Sequence, residues 1–458
     1  MIRALLFAAI VLAAGCTSQT SGQTAAPDTP TTVASTSSVA PPTTVVESTS
    51  TTSTSTTQPE APTTTEPAVI VETGAHRLVA DDFAILDGKR VGLIAHQASV
   101  VGDDHLADLI DAAPNVELIA LFGPEHGIRG TADAGVYVES TIDPSTNAPA
   151  FSLYGPTRIP TVSMLEGIDV LVYDLQDVGT RYYTYISTMG LAMQAAAEND
   201  IEFVVLERPN PLGDIVGGGV LEADRSSFVG LYPIPDVYGL TSLELAELIV
   251  DEALLPGLDG LELTGVPTVG WDRSMPWADT GLPWIPPSPA ITSPDTALLY
   301  PATVYFEATS LSYGRGTTSP FEVIGAPWLD ADSLAEGLSA RNLPGVQFES
   351  TEITPAMLPG ITVEPAYLGQ SIPAVQLVVT DPGLVTPTEL GVYLLDAVFA
   401  QARDLGVDPL SRPEWLDQLS GSTLLRTQIG VATPEEIIAT QADQRRELAV
   451  SIPAFSSE

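Results

Sequence analysis

The segment LFGPEHGIRG, residues 121–130, brings a carboxyl group, an imidazole and a guanidinium together within a few positions. Glu125, His126 and Arg129 are bracketed by Pro124, Gly127 and Gly130, which predicts a loop and not a helix or a strand. A carboxyl group held in such a loop can act as a general acid, and a neighbouring imidazole or guanidinium can adjust its pKa. Glu125 is therefore the first candidate for a catalytic residue.

The elements that would position this loop are four apolar runs rich in β-branched residues. They span residues 90–95, 116–122, 168–175 and 201–206. Segments with helical periodicity lie between them, at residues 104–113 and 182–200. Continuous apolar strands that alternate with helices are typical of a doubly wound, Rossmann-like α/β domain with a parallel sheet. Ligands in such domains bind beyond the carboxyl ends of the strands.

Ionisable or amide side chains lie at the end of each of the four predicted strands or directly after it, and Asp174 is the one that lies within its strand. In chain order they are His96 and Gln97; Glu125, His126 and Arg129; Asp174, Asp177 and Arg181; and Glu207 and Asn210. If the strands are parallel, these groups converge on one rim of the sheet. Single members also have structural interpretations, since Asp177 and Arg181 at i,i+4 could be a surface pair. Four strands that end in this way favour a functional site.

The absence of motifs for other reaction types leaves catalysis by carboxyl groups as the candidate chemistry. The chain has no GxSxG elbow, its four histidines lack metal-ligand spacing, and the Gly-rich segments 213–220 and 313–318 are interpreted as loops, so we expect no cofactor and no metal. Glycoside cleavage needs two carboxyl groups, here Glu125 with Asp174, Asp177 or Glu207. Trp284 and two further tryptophans in the Pro-rich segment 269–289 suit a sugar ring. A metal-dependent hydrolase at Glu125 and His126 is a weaker alternative.

Composition separates an exported leader from a folded body. Residues 1–16 have the pattern of a signal peptide that ends at the single cysteine, Cys16, as in a lipobox, and residues 17–68 form a Thr/Ser/Pro-rich tether with too little apolar surface to fold. We therefore expect an extracytoplasmic lipoprotein that contacts the membrane only through a lipid on Cys16. The net charge is −41, with 54 acidic and 16 basic residues beyond the tether, which excludes nucleic acid as a partner.

The rest of the chain predicts two domains. Residues 69–300 would form the Rossmann-like domain, and residues 301–458 a smaller α+β domain that completes a cleft. The second domain has helical patterns at 333–343, 387–405 and from 433 onward, and a strand at 374–380. It would contribute Arg315 to the cleft, and for Glu307 and Glu322 site and structural roles are equally supported.

Several long motifs of this chain resemble one family. In order they are LFGPEHGIRGTADAG, YDLQDVGTRYYTYISTM, VLERPNPLG, FVGLYPIP, GLPWIPPSP, LSYGRGTTSPFEVIGAPWL and LSGSTLLRTQI. Together they are similar to the exo-acting β-N-acetylmuramidase (NamZ-type) family of bacterial cell-wall glycosidases, formerly a domain of unknown function. The resemblance covers roughly residues 75–450.

The resemblance implies a Rossmann-like domain with the catalytic acid, a smaller C-terminal domain and a cleft between them. It also implies release of non-reducing terminal N-acetylmuramic acid from peptidoglycan fragments, the muropeptides and disaccharides that would be its partners. Glu125 matches the family's catalytic glutamate, with His126 beside it. Five further residues match motif positions in the pocket: Arg129, Asp177, Arg181, Asn210 and Arg315. A guanidinium there would bind the lactyl carboxylate of muramic acid.

Three positions depart from the family pattern. His96 stands in place of an asparagine, Tyr238 in place of a histidine, and Ala290 in place of an asparagine. These changes leave the acid intact and alter groups expected near the sugar. A non-catalytic glycan-binding lipoprotein on the same fold is therefore the alternative, and retention or inversion at the anomeric carbon stays open.

Overall fold

The computed structural model describes residues 71–130, 139–358, 361–362 and 364–455. The expected signal peptide, Cys16 and the tether to residue 68 lie outside these ranges. All described residues belong to one compact unit, Thr65–Glu458, and the division at residue 300 stays a prediction. Within the described ranges, no helix combines the length and the apolar character that crossing a membrane requires.

The strands and helices follow one another along the chain without long unstructured connections. The strands are β1 (Arg90–Ala95), β2 (Val100–Val101), β3 (Asp104–His105), β4 (Glu117–Gly123), β5 (Thr141–Ile142), β6 (Pro149–Ser152), β7 (Val170–Asp174), β8 (Glu202–Leu206), β9 (Val216–Val220), β10 (Pro235–Tyr238), β11 (Leu263–Val266), β12 (Val323–Gly325), β13 (Val346–Ile353) and β14 (Ile372–Val379). The helices are α1 (Gly74–Ala80), α2 (Leu106–Ala112), α3 (Tyr185–Glu198), α4 (Ser242–Asp251), α5 (Pro294–Thr303), α6 (Ala331–Ser339), α7 (Pro387–Asp404), α8 (Pro413–Leu419), α9 (Leu424–Gln428) and α10 (Pro434–Ser451).

A seven-stranded sheet carries the first part of the chain, in the order β11-β8-β7-β1-β4-β6-β5. Every neighbouring pair is parallel except β5 with β6. At the centre, Leu93 lies opposite Leu121 on one side and Val172 on the other. The four predicted strands are confirmed, the first with identical bounds and the others within two residues.

Alternate residues of these strands point to opposite faces, and helices cover both. Leu93 packs in a buried cluster with Leu78 of α1 and Ile110 of α2, whereas Ile94 belongs to a second cluster with Met189 of α3. Each fully buried side chain of this size contributes about 1.5–3 kcal/mol to folding. The sequence prediction of a doubly wound, Rossmann-like α/β sheet is therefore confirmed.

The second part of the chain is α+β, as predicted. An antiparallel sheet in the order β12-β14-β13 packs against α6, and α5 lies against α7. The predicted helices at 387–405 and from 433 onward correspond to α7 and α10. The segment 313–318 is a loop, as interpreted from its sequence.

The interpretation of residues 213–220 as a loop is wrong. Val216–Val220 is the strand β9, which pairs antiparallel with β10 and packs against α10. Its glycines permit close packing, since a Cβ on Gly217 would lie 2.5 Å from Oγ1 of Thr388. A strand whose backbone packs closely against neighbouring elements is rich in glycine, and it therefore has few of the β-branched residues by which strands are predicted.

Candidate active site

The loop that carries Glu125 follows β4 directly at the carboxyl edge of the sheet. The amide of Gly127 donates to the carbonyl of Pro124 over 3.0 Å, and that of Gly130 donates to Gly127 over 3.3 Å. His126 has a positive φ of 73°, a conformation that histidine adopts more readily than most residues. His126 is buried and Glu125 is half-buried, so the loop fixes the carboxyl group at a partly open position.

Glu125 and His126 line a cleft that draws residues from four parts of the chain. The other parts are the turn that leads into α3, the segment before α5, and α5 with the loop that follows it. The remaining lining residues are Tyr182, Tyr183, Thr184, Tyr185, Ser288, Ile291, Tyr300, Arg315 and Phe321. Tyr182 to Thr184 are available to the cleft because α3 begins at Tyr185, three residues later than its sequence pattern predicts.

The charge of the Glu125 carboxyl group acts on the phenol groups of four tyrosines. Burial, the charge of Glu125 and a hydrogen bond with Glu125 raise the pKa of Tyr154 to about 12. Burial also raises the pKa of Tyr183, Tyr185 and Tyr300 above the usual range, and the charge of Glu125 adds to each shift. These phenols therefore stay protonated at neutral pH, and the Tyr183 hydroxyl, which has no hydrogen-bond partner among the described residues, can donate to a ligand, whereas that of Tyr185 donates to the carbonyl of Pro287 over 2.6 Å.

Arg315 brings a positive charge into the same cleft. Its Nη2 lies 3.6 Å from Oε1 of Glu307, and its guanidinium carbon lies 5.3 Å from the centre of the Phe321 ring. Its Nη1 donates to the carbonyl of Ile361 over a long 3.3 Å, and its Nε has no hydrogen-bond partner among the described residues. The guanidinium therefore retains donor capacity for a ligand.

Glu307 is a second carboxylate in this neighbourhood, and sequence reasoning did not commit to it. It lies in the 3-10 turn Val304–Ala308, and its Oε2 accepts a hydrogen bond from Nε1 of Trp415 over 3.2 Å. The charges of Glu307 and Glu125 both raise the pKa of Tyr154 and of Tyr300, after burial as the main cause. The signal that could have found it is an isolated acid within the apolar run that follows α5.

Asp177, the expected catalytic partner, does not line the cleft. Its Oδ2 accepts the amide of Gly179 over 2.7 Å and the hydroxyl of Tyr238, while its Oδ1 is buried without a partner among the described residues. Burial raises the pKa of Asp177 to about 6. Tyr183 and Tyr185 interact with both Asp177 and Glu125, so the two carboxyl groups share these two rings as neighbours.

The arginines expected to bind an anion, apart from Arg315, are already paired. Arg129 donates to both oxygens of Asp108, over 2.7 and 3.0 Å, and to both oxygens of Asp143, over 2.8 and 3.0 Å. Arg181 is fully buried and donates to Asp236 over 2.5 Å and to the carbonyl of Leu419 over 2.8 Å. The Arg129 fork is filled by protein oxygens, and Arg181, whose Nε has no partner among the described residues, is fully buried and does not line the cleft, so these positions give the expected substrate contacts no geometric support.

Asp174 and Glu207 are likewise enclosed in contacts with protein groups. Asp174 is fully buried and accepts two hydrogen bonds from Arg208, over 2.7 and 2.9 Å. Glu207 accepts from the hydroxyl of Thr241 over 2.6 Å and from the amide of Thr268 over 2.6 Å. These contacts tie the ends of β7 and β8 to their neighbours, and neither carboxylate lines the cleft.

His96, Gln97 and Trp284 sit around the cleft wall without lining it. Nε2 of His96 accepts the amide of Gln176 over 2.9 Å, and burial holds the pKa of His96 well below its usual range. Nε2 of Gln97 donates to the carbonyl of Pro286 over 2.8 Å, and Nε1 of Trp284 to that of Ile291 over 3.1 Å. Gln97 and Trp284 therefore hold the segment that supplies Ser288 and Ile291 to the cleft.

The last predicted site residue and two altered positions have local roles. Asn210 accepts the amide of Leu212 over 2.9 Å and donates to the carbonyl of Leu240 over 3.0 Å, which shapes the turn after β8. The hydroxyl of Tyr238 donates a hydrogen bond to Oδ2 of Asp177, and Ala290 is buried in the core. Among the described residues, no group of three or more His, Cys, Asp or Glu side chains is placed to hold a metal ion.

Comparison with known proteins shows which family the chain is similar to. Residues 91–295 match the family model of the N-terminal part of exo-β-N-acetylmuramidase NamZ, and residues 298–449 match that of its C-terminal part. The chain is 42% identical over 373 residues to the peptidoglycan β-N-acetylmuramidase NamZ of Bacillus subtilis (strain 168), which covers 80% of this chain and 86% of that protein.

Solved structures show the same similarity. A crystal structure of a DUF1343 family protein from Bacteroides fragilis NCTC 9343 has a TM-score of 0.76 and 37% identity, and covers 85% of this chain and 98% of its own. A second DUF1343 family protein from that organism has a TM-score of 0.67 and 32% identity, and covers 84% of this chain and 98% of its own.

Proposed function

The chain belongs to the exo-β-N-acetylmuramidase NamZ family of glycosidases, and we propose that it releases terminal N-acetylmuramic acid from the non-reducing ends of peptidoglycan fragments. The observation that carries this proposal is the position of Glu125. Its carboxyl group is fixed at the carboxyl edge of the sheet, in a cleft walled by protonated phenols and one arginine. Release of this sugar would serve the turnover of the cell wall.

Glu125 supplies the proton that the leaving group needs. As the bond between the anomeric carbon and the glycosidic oxygen breaks, the Glu125 carboxyl proton passes to that oxygen, and positive charge develops on the sugar ring. A water molecule then adds to the anomeric carbon and gives up a proton, which restores the protonated acid over the cycle. His126 lies in the cleft wall beside this group and is proposed to contact the substrate.

The second carboxylate is Glu307 rather than Asp177. Glu307 shares Tyr154, Tyr300 and Arg315 with Glu125 as electrostatic neighbours. Asp177 is enclosed, with one oxygen committed to protein donors and an elevated pKa. A carboxylate that stabilises positive charge or activates water must be reachable, and the half-buried Glu307, whose side chain is 14% exposed and lies beside the cleft residue Arg315, meets this need better than the buried Asp177.

Arg315 is proposed to bind the lactyl carboxylate that distinguishes muramic acid from glucosamine. It lines the cleft with Glu125, whereas Arg129 and Arg181 do not line it and are each paired with buried or half-buried carboxylates of the protein. A guanidinium binds a carboxylate through paired, charge-assisted hydrogen bonds. In a chain of net charge −41, such a local cation is what allows an anionic sugar to enter.

The substrate proposal is tested with two disaccharides that differ only in which sugar is non-reducing. N-acetylmuramic acid linked to N-acetylglucosamine should be cleaved, and the reversed disaccharide should remain intact, with products separated by chromatography and mass spectrometry. Cleavage of the reversed disaccharide would contradict the proposed end specificity. Binding of the first disaccharide without cleavage would instead favour the non-catalytic glycan-binding lipoprotein.

We also propose that the protein is an envelope lipoprotein, anchored through Cys16. The support is the pattern of residues 1–16 and the Thr/Ser/Pro-rich segment 17–68, which would hold the folded body away from the membrane. Expression in a bacterial host with radiolabelled palmitate should label the wild type and not Cys16→Ser. Equal labelling of both proteins, or label in neither, would refute the anchor.

A further inference from the structure

A second cavity lies at the point where the strand order of the large sheet reverses. The chain leaves β1 towards β4 and returns to β7 on the other side of β1, and ligands in doubly wound folds bind at this reversal. Ala98 follows β1, Gln176 follows β7 and Arg208 follows β8, and all three line the cavity. Its volume is about 280 Å³, close to the lower end of the ~300–1,000 Å³ range of small-molecule sites.

This cavity is separate from the Glu125 cleft. The two share no lining residue, and the segment 281–291 forms a wall between them. Leu282, Pro283 and Ile285 face the cavity, whereas Ser288 and Ile291 face the cleft. The intervening carbonyl groups are held in place, that of Pro286 by Gln97 over 2.8 Å and that of Pro287 by the Tyr185 hydroxyl over 2.6 Å.

The cavity wall carries polar groups with unused hydrogen-bonding capacity. Arg208, 7% exposed, uses Nε and Nη2 for Asp174, which leaves Nη1 without a partner among the described residues. Gln176, 4% exposed, uses its amide nitrogen for the carbonyls of Asp177 and Pro209, over 2.9 Å each, which leaves Oε1.

Two further side chains extend this set. His76 pairs Nδ1 with the Thr73 hydroxyl over 2.8 Å, which leaves Nε2. The indole of Trp277 lines the cavity, and its buried Nε1 has no partner among the described residues. Donors, an acceptor, a flat aromatic surface and apolar side chains therefore meet in one partly open cavity.

The charge of this space is close to balanced. Arg208 is neutralised by Asp174, and burial together with Arg208 lowers the pKa of His76, so that His76 is neutral at neutral pH. The remaining charged lining residue is the exposed carboxylate of Asp103. An anion would gain little here, whereas a hydroxylated ring can satisfy both donors and acceptors and place an apolar face on the indole.

We propose that this cavity binds one neutral pyranose unit and is a second saccharide site, distinct from the Glu125 cleft. It would hold a glycan sugar on the protein while the cleft acts on a chain end, and so raise the local concentration of substrate. The site requires only binding, and its existence does not depend on turnover at Glu125.

The test is calorimetric titration with methyl β-N-acetylglucosaminide, a neutral pyranose, and with sodium lactate as the anionic probe. We expect the glycoside to bind the wild type and lactate to leave the cavity empty. Trp277→Ala removes the indole and Val100→Trp fills the space, and each should weaken glycoside binding roughly tenfold or more. Trp271→Ala is the matched control, since Trp271 lies in the same segment and does not line the cavity.

The outcomes separate this proposal from the proposed function. Absence of glycoside binding to the wild type, or unchanged binding in Val100→Trp with a native melting temperature, would overturn it. Binding that is lost in Arg315→Gln and kept in Val100→Trp would place the sugar in the cleft and also overturn it. Hydrolysis of 4-nitrophenyl β-N-acetylmuramide, which carries a single sugar and does not need the second site, should be equal in Val100→Trp and wild type, and failure of hydrolysis in every variant would count against the proposed function alone.

Discussion

The replacement of Arg315 by glutamine should remove the preference for a carboxylate on the sugar. Arg315 lines the Glu125 cleft with a side chain that is 22% exposed, and it makes one long hydrogen bond and a 3.6 Å contact with Glu307. Hydrogen bonds to a charged group contribute about 1.5–3 kcal/mol, which corresponds to roughly 10- to 160-fold in kcat/KM. Arg315→Lys keeps the charge without the fork, so we expect an intermediate loss.

The assay compares 4-nitrophenyl β-N-acetylmuramide with its derivative in which the lactyl carboxylate is a carboxamide. Wild type should prefer the carboxylate, and Arg315→Gln should lose that preference while it hydrolyses the carboxamide at a similar rate. Arg341→Gln is the control, because Arg341 pairs with Asp396 and does not line the cleft. An equal loss on both substrates, or an unchanged preference, would refute the role of Arg315.

Three further substitutions test the elements that support the site. Arg181→Met should lower the free energy of unfolding by about 3–5 kcal/mol in urea titrations, because it leaves the buried Asp236 without its cationic partner; a change below about 1 kcal/mol would contradict this. Asp177 has a pKa of about 6 in the folded protein and about 3.9 when unfolded, so its contribution to stability is complete below pH 4 and is lost as the pH rises through 6. The stability of Asp177→Asn relative to wild type should therefore rise between pH 4 and 7, by up to about 3 kcal/mol, and a flat difference would disprove the shift. Gly123→Ala would place a Cβ 2.7 Å from the amide nitrogen of Ile128 and displace the Glu125 loop, so kcat should fall roughly 10- to 100-fold in protein that still melts cooperatively; wild-type kcat would show that the loop tolerates the change.

The sheet and the Glu125 loop could be predicted because their signals are local. Continuous apolar runs identify β1, β4, β7 and β8, and parallel pairing then places the residues after them at one edge. The proline and glycines around Glu125 indicate a fixed loop, and the structure has two turn hydrogen bonds there. Neither inference needs knowledge of residues far away in the chain.

The sequence could not predict which polar side chains are already hydrogen-bonded to protein groups, because their partners lie far away in the chain. Arg181 pairs with Asp236, 55 residues later, and with a carbonyl 238 residues later, and only the fold shows that it is fully buried in these contacts. Glu307 joins the Glu125 neighbourhood through Arg315 and Tyr300, which a linear motif does not reveal. The sequence identifies which groups reach the sheet edge, and the folded chain determines which of them stay available.

The central claim is that Glu125 is the catalytic acid, and one comparison of rates tests it most directly. Hydrolysis of the disaccharide of N-acetylmuramic acid linked to N-acetylglucosamine, whose sugar leaving group must be protonated as it departs, is measured for wild type, Glu125→Gln and Glu117→Gln, whose residue is an exposed glutamate at the opposite end of the same strand. Loss of a general acid should lower kcat by roughly 10²- to 10⁴-fold in Glu125→Gln and leave Glu117→Gln unchanged. Glu125→Gln with wild-type kcat would contradict the account.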